Sequence, residues 1–165
     1  QKSFSKDTAY LSLPILILFF KLAEKIMTRK ILSVLAGLIC GIVSISLLES
    51  LGHALFMPPD HVTGVAAIME NDDFFQKLSS TLMVAVLASY IIGSYLAGFL
   101  TAWISRSIDM TLIVGALLTI GGLINISMLP HPLWFSAASL LTYLPMAWLG
   151  GLSVSLIYRN QKPNK

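Results

Sequence analysis

Residues 31–57 read ILSVLAGLICGIVSISLLESLGHALFM, a stretch with no lysine or arginine and a single acid, Glu49. A helix needs about 20 apolar residues to cross the ~30 Å hydrocarbon core of a bilayer, and this stretch is longer than that. The pattern therefore predicts a membrane-spanning helix with some tilt. Pro58-Pro59 follows immediately and is expected to end it.

Three more apolar runs predict three more spans, at about residues 80–104, 110–129 and 133–158. The chain is 56% hydrophobic and 12% charged, whereas a soluble domain carries about 25% charged residues. We therefore expect one all-α domain, a four-transmembrane-helix bundle over residues 27–165. The single cysteine, Cys40, excludes an intrachain disulfide.

The segment before the first span, residues 1–26, has a different character. Its own apolar run, Leu11–Phe20, would rise only about 15 Å as a helix, which is half of the hydrocarbon core. Met27 opens directly onto the first long run, as a start codon would. We interpret residues 1–26 as an upstream or interfacial extension.

The basic residues give the orientation, because lysine and arginine accumulate on the cytoplasmic side of membrane proteins. Of the 11 lysines and arginines, only Lys77 falls in a segment that this topology places on the other side. Both termini are therefore predicted to be cytoplasmic, with the loop after Pro58 and the turn Pro130–Pro132 facing outward. The same distribution accounts for the net charge of +3, so no nucleic-acid partner is expected.

The two halves of the chain resemble each other, which predicts an internal repeat. Residues 41–48, GIVSISLL, match residues 122–129, GLINISML; residues 89–98, SYIIGSYLAG, match residues 142–151, TYLPMAWLGG. Glycine and polar positions stay in register, not only leucine and isoleucine. We expect two parallel helical hairpins related by a pseudo-twofold axis along the membrane normal.

Small residues spaced four apart let transmembrane helices approach closely. Such pairs recur in the predicted spans, and we expect these glycines to lie at helix contacts: Gly37, Gly41, Gly93, Gly98 and Gly151. Mid-span tyrosines are expected to donate hydrogen bonds to neighbouring helices: Tyr90, Tyr95 and Tyr143. The pattern predicts a tight bundle, whose remaining faces meet the lipid bilayer, a second copy or another membrane protein.

Glu49 and His53 are the most informative polar residues of the spans. Because they are four residues apart, they stack on one helical face, which we expect to lie opposite the face of Gly37 and Gly41. Counted at 1.5 Å per residue, Glu49 falls near the outer boundary of the membrane. Asn125 falls near that depth in the third span and His131 in the outer turn, so four side chains are expected to converge: Glu49, His53, Asn125 and His131.

Ionisable groups at membrane depth are usually paired and often functional. Three interpretations of this cluster stay open. The cluster locks the first helix to the outer turn, or it forms a permeation site with Glu49 and His53 as a protonatable pair, or it holds a metal ion through Glu49, His53 and His131 in a membrane enzyme. The first is the leading expectation, and it makes the protein a non-enzymatic accessory or scaffold protein without a cofactor.

Three motifs carry a resemblance to a known group of proteins. They are Glu49-Ser-Leu-Gly-His53, the segment MLPHPLWF at residues 128–135 and the segment YLPMAWLGG at residues 143–151. They resemble a set of uncharacterised small bacterial membrane proteins with four spans, over about residues 27–158. The resemblance implies the bacterial inner membrane as the location and implies no catalytic activity.

Overall fold

The computed structural model describes residues 4–56, 80–128 and 131–161, with side-chain surroundings from residue 21 onward. Four helices account for nearly all of these residues: α1 Phe4–Phe56, α2 Ser80–Ser105, α3 Asp109–Met128 and α4 Leu133–Asn160. No strand occurs in these ranges, so the predicted all-α class is confirmed. The predicted outer loop after Pro58, with Lys77, lies outside the described residues, as does Pro130.

Each of the four helices contains a segment long and apolar enough to cross a membrane, and in α1 this segment is Lys21–Phe56. Large apolar side chains are exposed along the outside of the bundle, among them Ile39, Leu47 and Ile120. A surface of this kind is stable against lipid tails and not against water. The structure therefore fits an integral membrane protein with several spans.

The bundle is organised around α2. This helix packs along α1 on one side and along α4 on the other, and α3 completes the bundle mainly through α4. The contacts between α1 and α3 are the sparsest of those that close the bundle. Any space inside the protein is therefore expected between α1 and α3.

Glycines allow the closest helix contacts, because a missing side chain lets two backbones meet. A Cβ at Gly98 would collide with the backbone of Ala147 on α4, and a Cβ at Gly41 would lie 2.8 Å from the Cβ of Ala97 on α2. The other glycines expected at contacts also face a neighbouring helix: Gly37 on Thr101, Gly93 on Ile45 and Gly151 on Thr111. Small residues therefore line the α1–α2, α2–α4 and α3–α4 contacts.

Helix α1 is much longer than the apolar run that predicted it. It has 53 residues, which corresponds to about 80 Å at 1.5 Å per residue. No break separates residues 4–26 from the first span, and residues 21–29 are exposed on all sides. Residues 21–30, KLAEKIMTRK, are mostly strong helix formers, so the helix continues beyond the segment that other helices surround.

Candidate functional site

Glu49 lies on α1 where this helix meets α2. Its carboxyl group lies near the hydroxyl of Tyr90 on α2. The Tyr90 hydroxyl also lies near that of Tyr143 on α4, and the two rings lie 5.3 Å apart between centroids. A polar side chain at membrane depth needs such partners because lipid offers none. The polar ends of these three side chains therefore lie together and connect α1, α2 and α4.

A cavity of about 240 Å³ lies next to this group, between α1 and α3. Five aliphatic side chains from these two helices line it, among them Ile42 and Leu117. Five residues give it a polar part: Ser46, Glu49, Tyr90, Asn125 and Tyr143. An apolar pocket with a few converging polar groups is the usual form of a site for a small molecule.

Two adjacent glycines of α3 create the space. A Cβ at Gly121 would have no atom within 4 Å, so this position is open. A Cβ at Gly122 would lie 2.5 Å from a ring carbon of Tyr143, so Gly122 makes room for that ring. The cavity exists because α1 and α3 pack loosely and because α3 lacks side chains at these two positions.

The structure brings two of the four predicted site residues to the cavity, Glu49 and Asn125. His53 is exposed, one turn further along α1, and does not line the cavity. It is close enough to Glu49 for their charges to interact. His131 stacks on Phe135 with ring centroids 5.3 Å apart, and Phe135 in turn packs on Tyr90 at 6.1 Å. One aromatic ring therefore separates His131 from the tyrosine that contacts Glu49.

The expectation that Glu49 lies opposite the glycine face of α1 is wrong. Glu49 reaches α2 at Tyr90, and Gly41 and Gly52 face α2 as well, at Ala97 and Ala85. Each step of four residues turns the face of a helix by about 40°. Three such steps lead from Gly37 to Glu49. Glu49 therefore does not lie opposite the glycines, and its side chain is directed toward the cavity between α1 and α3.

The sequence predicted that the mid-span tyrosines donate hydrogen bonds to neighbouring helices. It did not predict that Tyr90 and Tyr143 line the cavity beside Glu49. Tyr95 on α2 does donate a hydrogen bond to Ser153 on α4, 2.9 Å between the oxygens, and Tyr90 and Tyr143 make the contacts described above. Gly121 was not recognised at all. The repeat offered a signal for the tyrosines, because Tyr90 and Tyr143 occupy matched positions in the two halves.

The described residues bring together no group of three histidine, cysteine, aspartate or glutamate side chains that could hold a metal ion. The chain matches no protein-family model, no curated protein and no solved structure with significance. The geometry of the cavity therefore carries the functional argument. The chain has four helices suited to span a membrane, with an acidic side chain on the wall of a cavity that opens between α1 and α3.

Proposed function

We propose that this protein is a small proton-coupled transporter that binds its solute in the cavity beside Glu49. One observation carries the proposal: a carboxyl side chain lies on the wall of a 240 Å³ cavity within the spanning part of the helices. Ionisable side chains in this position are costly and mark the pathways of ions, protons or solutes. A structural role alone would not require the cavity.

The chemistry of the walls favours a small amphipathic cation as the solute. The Glu49 carboxylate attracts a positive charge, and the rings of Tyr90 and Tyr143 can contribute a cation–π contact. The aliphatic side chains suit the apolar part of such a molecule. Because the carboxyl group holds either a proton or a cation, release of one permits binding of the other, and this exchange couples the two movements.

His53 is proposed to exchange protons with Glu49. It lies four residues away on the same helix and is exposed, and an imidazole can both donate and accept a proton. A group of this kind next to Glu49 offers a route for protons into and out of the cavity.

A structural role is the second candidate, favoured by the polar contacts between helices. Glu49 joins α1 to α2 through Tyr90, and the Tyr95–Ser153 hydrogen bond joins α2 to α4. In an accessory or scaffold protein these contacts would serve to hold the bundle together. The interpretation as a metal-dependent enzyme would need a third ligand that the described residues do not supply.

The substitution Glu49→Gln separates the two candidates. Proteoliposomes with an internal pH dye would be given a tetraethylammonium gradient, and proton movement would be recorded. A transporter variant stays folded and loses cation-driven proton movement, whereas a scaffold variant loses thermal stability. Glu24→Gln is the matched control, because Glu24 lies on the exposed part of α1 and its loss should change neither quantity. Unchanged proton movement in Glu49→Gln would refute the transporter.

We further propose the bacterial inner membrane as the location, with both termini cytoplasmic. Basic residues of two helices lie close together at one end of the bundle, which supports this orientation. Arg29 of α1 donates a hydrogen bond to the Ser105 carbonyl at the end of α2, and Arg106 is the next residue after Ser105. A reporter fused after Lys165 that folds only outside the cytoplasm should remain inactive.

The internal repeat is also a proposal. The contact between Tyr90 and Tyr143, which hold matched positions, supports it, because residues near a twofold axis meet their own equivalents. Superposition of the α1–α2 hairpin on the α3–α4 hairpin would test it, because a repeat requires the matched residues to coincide.

A further inference from the structure

Arg106, the residue directly after helix α2, has a backbone conformation that favours glycine. Arg106 has φ 56°, and no other non-glycine residue of the described ranges has a positive φ. Its N–H donates a hydrogen bond of 2.8 Å to the carbonyl of Ala102, which is the geometry of a left-handed helix cap. Glycine would serve this cap better, because a Cβ is unfavourable in this conformation. The backbone therefore gives no reason for arginine here.

The side chain of Arg106 is held in a defined place by aromatic residues. Its guanidinium lies over the ring of Tyr158 on α4, 5.6 Å from the centroid. The Tyr158 ring packs on Trp103 of α2 at 5.8 Å, and its hydroxyl lies 3.5 Å from the Trp103 carbonyl. Arg106, Trp103 and Tyr158 therefore form one cluster, the cation–aromatic corner, where α2 and α4 end.

This corner remains available to a ligand. Arg106 is exposed and Trp103 is 47% exposed, and no carboxylate pairs with Arg106 within the described residues. Asp109, the nearest acid in sequence, is exposed at the start of α3. Arg29 differs, because its guanidinium already donates to the Ser105 carbonyl at the end of α2. Arg106 is thus an oriented cation whose donors are not used by the fold.

We propose that Arg106, Trp103 and Tyr158 form a binding site for the phosphate group of an anionic phospholipid. Tryptophan and tyrosine accumulate at the level of lipid headgroups, and these two lie within the last turns of spanning helices. A guanidinium binds phosphate oxygens through paired hydrogen bonds. A lipid fits better than a soluble phosphate, because Trp103 and Tyr158 give the acyl chain an apolar surface next to the cation.

The test compares the purified full-length protein with Arg106→Gly in detergent micelles titrated with phosphatidylglycerol or phosphatidylcholine. Wild type should gain thermal stability with phosphatidylglycerol only. Arg106→Gly should be at least as stable as wild type without added lipid, because glycine suits the cap. It should need about ten-fold more phosphatidylglycerol for the same gain, the factor expected when a charge-assisted hydrogen bond to the phosphate is lost.

Two controls make the result specific. Arg159→Gln removes an exposed cation from the same end of α4 and should leave the phosphatidylglycerol response close to wild type. Arg106→Asn provides a second variant, since asparagine tolerates this backbone conformation. An unchanged lipid response in both Arg106 variants would overturn the site, as would an equal loss in Arg159→Gln. An equal gain with millimolar inorganic phosphate would overturn the lipid as occupant.

Discussion

Tyr90 of α2 and Tyr143 of α4 pack with ring centroids 5.3 Å apart and ring planes tilted by 36°, and the Tyr90 hydroxyl lies near both the Tyr143 hydroxyl and the Glu49 carboxyl group. Tyr90 is therefore the central member of the polar group beside the cavity. It is also 5% exposed. Substitution of Tyr90 therefore tests directly how much this polar group contributes to stability.

Tyr90→Phe should lower the free energy of unfolding by about 0.6 kcal/mol, the average for polar contacts between membrane helices. Unfolding by a denaturing detergent would measure it. Tyr143→Phe is the matched control and should cost less, because Glu49 keeps its Tyr90 partner. Equal losses from both variants would argue against Tyr90 as the central member.

Gly121→Leu should fill the cavity without disturbing the helix contacts, because a Cβ at Gly121 meets nothing within 4 Å. Cation-driven proton movement in proteoliposomes should fall to the level of Glu49→Gln, while thermal stability stays within about 0.5 kcal/mol of wild type, as for other substitutions at open positions. Gly122→Leu is the contrasting variant and should lose stability, since its side chain meets the Tyr143 ring. Transport that survives Gly121→Leu would place the solute elsewhere.

Gly98→Ala should be strongly destabilising although alanine is the better helix former. The added Cβ would meet the Ala147 backbone, which cannot move as a flexible side chain can. Overpacking of this kind costs about 1–3 kcal/mol, measurable by detergent unfolding. Gly121→Ala adds the same methyl group at an open position and should be neutral or stabilising by up to about 1 kcal/mol. A neutral Gly98→Ala would contradict the close backbone contact between α2 and α4.

Tyr95 and Ser153 should show a measurable coupling in a double-mutant cycle. Their oxygens lie 2.9 Å apart across the α2–α4 contact. With Tyr95→Phe, Ser153→Ala and the double variant, we expect a coupling free energy of about 0.6 kcal/mol, the average for such bonds in a membrane. Strictly additive losses would show that the bond contributes nothing to stability.

The sequence by itself determined the class, the number of spans and the approximate place of each. The apolar runs predicted the second, third and fourth helices closely, because the ~30 Å core of a bilayer sets the length of a span. The sequence did not predict that α1 begins at Phe4. Residues 4–30 contain charged side chains, which argue against a membrane span but are compatible with a helix. The glycines at helix contacts were also predictable, because a backbone contact leaves a small-residue pattern.

Only the tertiary structure decided which polar residues meet. Helix rotation places Glu49 on Tyr90 and beside the cavity with Asn125, and it leaves His53 exposed and His131 on Phe135. The sequence alone does not determine these contacts. The depth of a residue in the membrane follows from counting residues along its helix, whereas the rotation of each helix about its axis depends on the packing of all four helices. For the same reason the cavity at Gly121 and the position of Arg106 over Tyr158 left no recognisable pattern in the sequence.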